Sequence, residues 1–141
     1  MKIRLDPADK WFSKCVRERA NWTCEHCLTP YPSGSGSVQC SHLFSRRHNA
    51  TRYDPLNAFC HCVSCHIRLG SDPVNFTKWA DSRLGPKKVE SLYVRSGMTL
   101  KLSKVDKAFI AKHYQSEHRQ MLAKRKAGQG GYLSFKSWGE G

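Results

Sequence analysis

The sequence predicts an α+β fold: a small two-stranded unit and a short helix held by a four-cysteine metal site, with one helix before it and others after it. Three observations predict it. Two Cys-x-x-Cys pairs, Cys24/Cys27 and Cys62/Cys65, are separated by 34 residues, too many for a compact finger but enough for a strand, a loop and a second strand. The segment "VQCSHLFS" inside that interval reads as a strand. The flanks "DPADKWFSKCVRERA" and "SDPVNFTKWADSRLG" carry helix start and stop signals. The expected organisation is a metal-stapled domain over 1–85, a helical extension over 86–127 and a Gly-rich tail over 128–141.

Taken in order, residues 6–20 open on Asp6-Pro7 and place Trp11, Phe12, Cys15, Val16 and Arg19 near helical spacing. This is an amphipathic helix, with Cys15 a buried thiol on its apolar side. "CEHC" makes a tight knuckle and "TPYPSGSGS" a loop. After the strand, "SRRHNATRYD" is polar, basic and without period, and reads as a long exposed loop; "PLNAF" then returns to the core as a short strand or strand-like arm. "CVSCHIRL" makes two helical turns stopped at Gly70. "SDPVNFTKWADSRLG" has a cap, Pro in its first turn and Gly at its end, and "PKKVESLYVRSG" is a further short helix. From Ser103 as cap runs a long basic helix that puts Val105, Phe109, Ile110, Tyr114, His118 and Met121 on one face. His113 and His118 read as surface or boundary residues. The tail "GQGGYLSFKSWGEG" is either disordered or a short strand docked on the body.

Four thiolates from Cys24, Cys27, Cys62 and Cys65 are a tetrahedral donor set for structural Zn²⁺. On a helix starting near Cys62, positions 62 and 65 share a face. His66 is turned by about 100° from Cys65, so it is free for another task. Strand-like alternation makes Cys60 most simply a small buried thiol; the alternative, Cys60 in place of Cys62 as a zinc ligand, has the less favourable C-x4-C spacing to Cys65. His61 reads as a surface group or one that backs a zinc ligand.

The formal charge is +13, from 24 Lys and Arg against 11 acidic residues, with clusters at "SRRH", "GPKK" and "AKRKA". Such a surface seeks polyanions, nucleic acid above all. No run of about 18 apolar residues exists to span a membrane. The start "MKIRLDPADKWF" lacks the apolar core and cleavage site of a secretory signal. These features predict a reducing compartment, where seven cysteines serve metal binding rather than disulfides.

His42 ends the predicted strand, Asn57 follows 15 residues later and His66 nine after that. This order and spacing resembles the HNH endonucleases of the ββα-metal (His-Me finger) superfamily, in a subclass where two CxxC pairs bracket the motif. The likeness covers residues 24–66. It implies His42 as general base, Asn57 as the residue that orients it through its side-chain carbonyl, and His66 as ligand of a catalytic divalent metal. Phosphodiester hydrolysis needs both a base for water and positive charge on the scissile phosphate. "RERANWTCEHC" and "CSHLFSRRHNATRYDPLNA" further resemble the phage NinG (Rap) recombination endonucleases, which share a similar "GHF-S-R-H-ATR-D-N" series, over roughly residues 9–85. That likeness implies branched DNA such as a Holliday junction as substrate, 5′-phosphate and 3′-hydroxyl products, and a phage or prophage protein acting in the cytoplasm of a bacterial host.

Where many HNH nucleases carry Asp or His just before the general base, this chain has Ser41. The catalytic metal then falls to His66 with another group such as Cys40 or His48, plus waters and phosphate oxygens. Mg²⁺ favours oxygens, whereas imidazole and thiol favour Mn²⁺, Ni²⁺ or Zn²⁺. Arg46, Arg47 and Arg52 are expected phosphate clamps. One such site cuts one strand, so a double-strand cut requires two events or a homodimer. The rival expectation is a zinc-stabilised DNA-binding module without catalysis, and Ser41 is the residue that favours it.

Overall fold

The computed structural model describes residues 3–139; residues 1–2 and 140–141, the outer ends of the predicted domain and tail, lie outside the described residues. Helix α1 spans Pro7–Arg19, strand β1 Val38–His42, helix α2 Asn49–Arg52 and strand β2 Ala58–Cys62. Helices α3 (Val63–Gly70), α4 (Pro73–Leu84), α5 (Pro86–Ser96) and α6 (Lys104–Lys126) follow. The architecture is mixed α+β, with a single antiparallel pair of strands among the described residues.

The cap residues set most boundaries. Asp6 and Asp9 close a capping box on α1, and Ser103 and Asp106 close one on α6. Asp72 caps α4 through Asn75 N–H, and Gly85 ends that helix at a φ of 91°, a left-handed value that glycine adopts without strain. Cys62 itself caps α3, its sulfur accepting from Cys65 N–H.

The strand pair sorts the core into two sides. Cys40 lies opposite Cys60, and His42 opposite Ala58. Cys40 and Ala58 join Ala8, Phe12 and Val16 of α1 and Ile110, Tyr114 and Met121 of α6 in one apolar cluster. On the opposite face Phe59 packs with Leu69, Phe76, Ala80 and Val89. Helices α1 and α6 run side by side in the same sense, with Lys107 beside Asp6 at one end and Arg125 beside Glu18 at the other.

Three expectations are corrected. The stretch 45–54 is not an exposed loop: it contains α2, and Thr51, Arg52 and Tyr53 are buried. Long-range partners draw it in, because Tyr53 O–H donates to Asp6 and Arg52 pairs with Asp9. The buried face of α6 is narrower than expected. Ile110, Tyr114 and Met121 fall within about 40° at about 100° per residue, while Val105 and Phe109 lie well outside that arc and are exposed. The tail is docked, but not as a strand: Leu133 N–H donates to Arg19 O and Phe135 packs edge-on against Phe12 and Tyr114.

Candidate functional site

Cys24, Cys27, Cys62 and Cys65 converge, all four sulfurs lying within 4.8 Å of one another. The Cys27 and Cys62 sulfurs are 3.9 Å apart, close to the ~3.8 Å edge of a tetrahedron with Zn–S of about 2.3 Å. Cys27 N–H points at the Cys24 sulfur and Cys65 N–H at that of Cys62, so each knuckle turns a backbone donor onto a prospective thiolate. The four cysteines are therefore placed to hold a structural metal such as zinc. Cys27 is the exposed corner, and its neighbour Thr29 lowers its pKa to about 6. Burial pushes the Cys65 thiol up to about 12, a proton that a bound metal displaces. Glu25, between the first two ligands, ties the knuckle to the fold: Cys60 N–H and Arg83 both donate to its buried carboxylate at 2.7 Å.

His61 is not a surface group. It shares the Phe59 face of β2, where α4 covers it with Phe76 and Trp79; it is fully buried, and neither ring nitrogen has a partner. Burial holds its pKa down at about 3, so it is neutral.

His42 stands where β1 leaves the sheet. Its Nε2 is 2.9 Å from the carbonyl oxygen of Arg52. A carbonyl only accepts, so that nitrogen carries the proton and Nδ1 is left as a bare lone pair. Nδ1 is buried and has no partner. Burial and then the Arg46 charge depress the His42 pKa to about 3, and His66 contributes in the same direction.

Asn57 does not hold the His42 ring. Its Oδ1 accepts from Phe44 N–H at 2.8 Å, and its Nδ2 donates to Phe44 O at 2.9 Å and Thr51 O at 3.0 Å. It is a clamp across the 43–57 excursion. Its influence on His42 is indirect: fixing Thr51 O helps position Arg52 O, the acceptor that sets the His42 tautomer.

The expected phosphate clamps separate. Arg52 is removed from the set: it is buried, with Nε at 3.0 Å and Nη2 at 2.6 Å from the two oxygens of the buried Asp9 carboxylate. Its fork is occupied because α2 folds inward onto α1. Arg46 reaches the same carboxylate only at 3.8 Å, has no hydrogen-bonded partner for Nε, and lines two adjoining clefts. Arg47 is exposed.

One of those clefts, of about 290 Å³, is lined by Ser13, Arg17, Gln39, Cys40, Arg46 and His66. His66 Nδ1 lies 2.6 Å from Gln39 Oε1, an arrangement that puts the proton on Nδ1 and directs Nε2 outward as an acceptor. Cys40 lines the same cleft, but burial pushes its thiol up to about 11. His48 is exposed ahead of α2 and does not line it. Among the described residues the four cysteines are the one group of three or more metal-ligating side chains, so Cys40 and His48 do not complete a ligand cluster with His66. Gln39 and Arg17 escaped the sequence reading; Gln39, alternating with buried Val38 and Cys40 along β1, was the legible signal.

Comparison with protein-family models, with curated proteins and with solved structures gives no match to this chain. No described helix is long and apolar enough to cross a membrane.

Proposed function

We propose that the chain is a metal-dependent DNA endonuclease with the chemistry of the HNH resemblance. The observation that carries this reading is that β1 holds both His42, with its bare buried Nδ1, and Gln39 and Cys40, which with His66 and Arg46 line a cleft that His42 itself does not line. The order β1, β2, α3, with His42 at the end of the first strand and His66 on the helix, supports it further.

In this reading His42 Nδ1 takes the proton from the attacking water, and Arg52 O stabilises the proton already on Nε2 as the ring becomes positive. Nδ1 is closed to solvent in the free protein, so the substrate-bound arrangement must admit that water. Arg46 offers its unengaged guanidinium nitrogens to the phosphate oxygens. His66 Nε2 fits a divalent ion that keeps mainly waters and phosphate oxygens, because among the described residues no carboxylate lines its cleft. Such an ion supplies positive charge against the scissile phosphate and the leaving oxygen. Branched DNA, two subunits for paired cuts and a phage origin follow from the same resemblance.

A second reading, a zinc-stabilised DNA-binding module without catalysis, is favoured by Ser41. Its hydroxyl stands in place of a ligand and is buried without a partner. The test is cleavage of supercoiled plasmid and of a four-way junction by wild type and His42→Ala, after chelation and with Mg²⁺ or Mn²⁺ restored. Metal-dependent cutting by wild type alone supports the nuclease; binding by both proteins without cutting supports the module.

A further inference from the structure

We infer that the outer face of α1 is a track for one strand's phosphate backbone, leading DNA past Arg46 to the His66 cleft; the inference rests on the nuclease reading. Helix α1 distributes its charges unusually. Its carboxylates Asp9 and Glu18 are only 3 % and 4 % exposed and are engaged inside, by Arg52 and Arg125. Of its cations, Arg19 is buried and donates to Pro55 O and Ala58 O. Lys10 and Lys14 are exposed, Arg17 is half-exposed with its Nε donating to Ser13 O, and none of these three makes an ion pair among the described residues. A solvated helix ordinarily interleaves its lysines with carboxylates three or four residues away. Here those positions hold inward-turned acids or none.

The geometry continues the stripe into the site. A second cleft, of about 220 Å³, is lined by Lys10, Ser13, Lys14, Arg17 and Arg46 together with Asp9. It shares Ser13, Arg17 and Arg46 with the His66 cleft, so the two form one groove. Lys14 lies over the Trp11 ring and Arg17 over the Trp22 ring, contacts that restrain both side chains. From Lys10 to Arg17 the helix rises about 10 Å. Three cations spread over that length can each meet one phosphate of a strand.

The test is duplex-DNA binding as a function of salt, in chelator to prevent cutting. Three proteins are compared: wild type, the triple variant Lys10→Gln/Lys14→Gln/Arg17→Gln, and a control, Lys112→Gln/Arg119→Gln/Lys126→Gln, that removes the same charge from the exposed side of α6. The slope of log affinity against log salt should shrink by about 2.7 in the α1 variant, at about 0.9 per phosphate contact, with at least about tenfold weaker binding at 0.1 M salt. The α6 control should lose far less. With metal restored, the double variant Lys10→Gln/Lys14→Gln, which leaves the lining of the His66 cleft intact, should show a raised KM and a kcat within about twofold of wild type. Equal losses in the two triple variants, an unchanged slope, or wild type that binds RNA or anionic vesicles but not duplex DNA would overturn the track. The nuclease reading fails separately, if wild type binds DNA with the expected slope but leaves it uncut under every metal.

Discussion

Replacing Asn57 with alanine separates a clamp from an orienting group. Asn57 is fully buried and makes three hydrogen bonds, to Phe44 N, Phe44 O and Thr51 O. At about 1–1.5 kcal/mol net for each of the three, Asn57→Ala should lose about 3–5 kcal/mol. A domain of this size loses roughly 3 °C of melting temperature per kcal/mol, giving a fall of roughly 10–15 °C. Asn57→Asp refines the test. Its carboxylate keeps the acceptor for Phe44 N–H but faces two carbonyl oxygens, so its pKa should rise. In the folded state it then binds its proton more tightly than unfolded, and the variant should gain stability, relative to wild type, as pH falls through that raised pKa. Thermal unfolding followed by circular dichroism, with zinc saturating, reads both effects. A fall of less than about 3 °C for Asn57→Ala, or no relative gain for Asn57→Asp in acid, would refute the clamp.

The two arginines near Asp9 should behave in opposite ways: Arg52→Ala strands a buried carboxylate and should cost about 3–5 kcal/mol in chemical denaturation, whereas Arg46→Ala should cost under about 1 kcal/mol while weakening DNA binding. The purified protein should carry one zinc per chain by elemental analysis, and a strong chelator should lower its melting temperature by more than about 10 °C, since such sites contribute a large share of folding free energy. His42 should add an acid-side instability. Its folded pKa of about 3 lies below the ordinary 6.5, so the unfolded chain binds more protons and stability falls as pH drops from about 6.5 towards 3, by at most about 1.4 kcal/mol per pH unit. His42→Gln should roughly halve that slope, the rest belonging to His61 with its similarly depressed pKa, as read by urea unfolding at a series of pH values.

Local chemistry made much of this structure legible. Asp6-Pro7, Asp72-Pro73 and Ser103 each open a helix where their side chains accept the first free N–H groups. The paired cysteines converge because each CxxC knuckle is a short-range geometry that only needs the other brought near. What stayed hidden depends on partners distant in sequence. Helix α2 has no side-chain cap, and it folds inward through Arg52–Asp9 and Tyr53–Asp6, pairs that no local pattern announces. The same pairing decides which arginine is anchor and which is free, a distinction that "SRRHNATR" does not contain. His61 is buried because α4 closes over its face of β2, although its sequence surroundings suit either burial or exposure.

The most direct test of the account is nicking of supercoiled plasmid by wild type and by His42→Ala, the latter with and without added imidazole, in zinc-loaded protein supplied with Mg²⁺ or Mn²⁺. Wild type should nick, His42→Ala should be slower by about 10²-fold or more, and imidazole should restore part of the lost rate by standing in for the missing ring. A wild-type protein that binds the plasmid and leaves it intact, or a His42→Ala protein that nicks as fast as wild type, would contradict it.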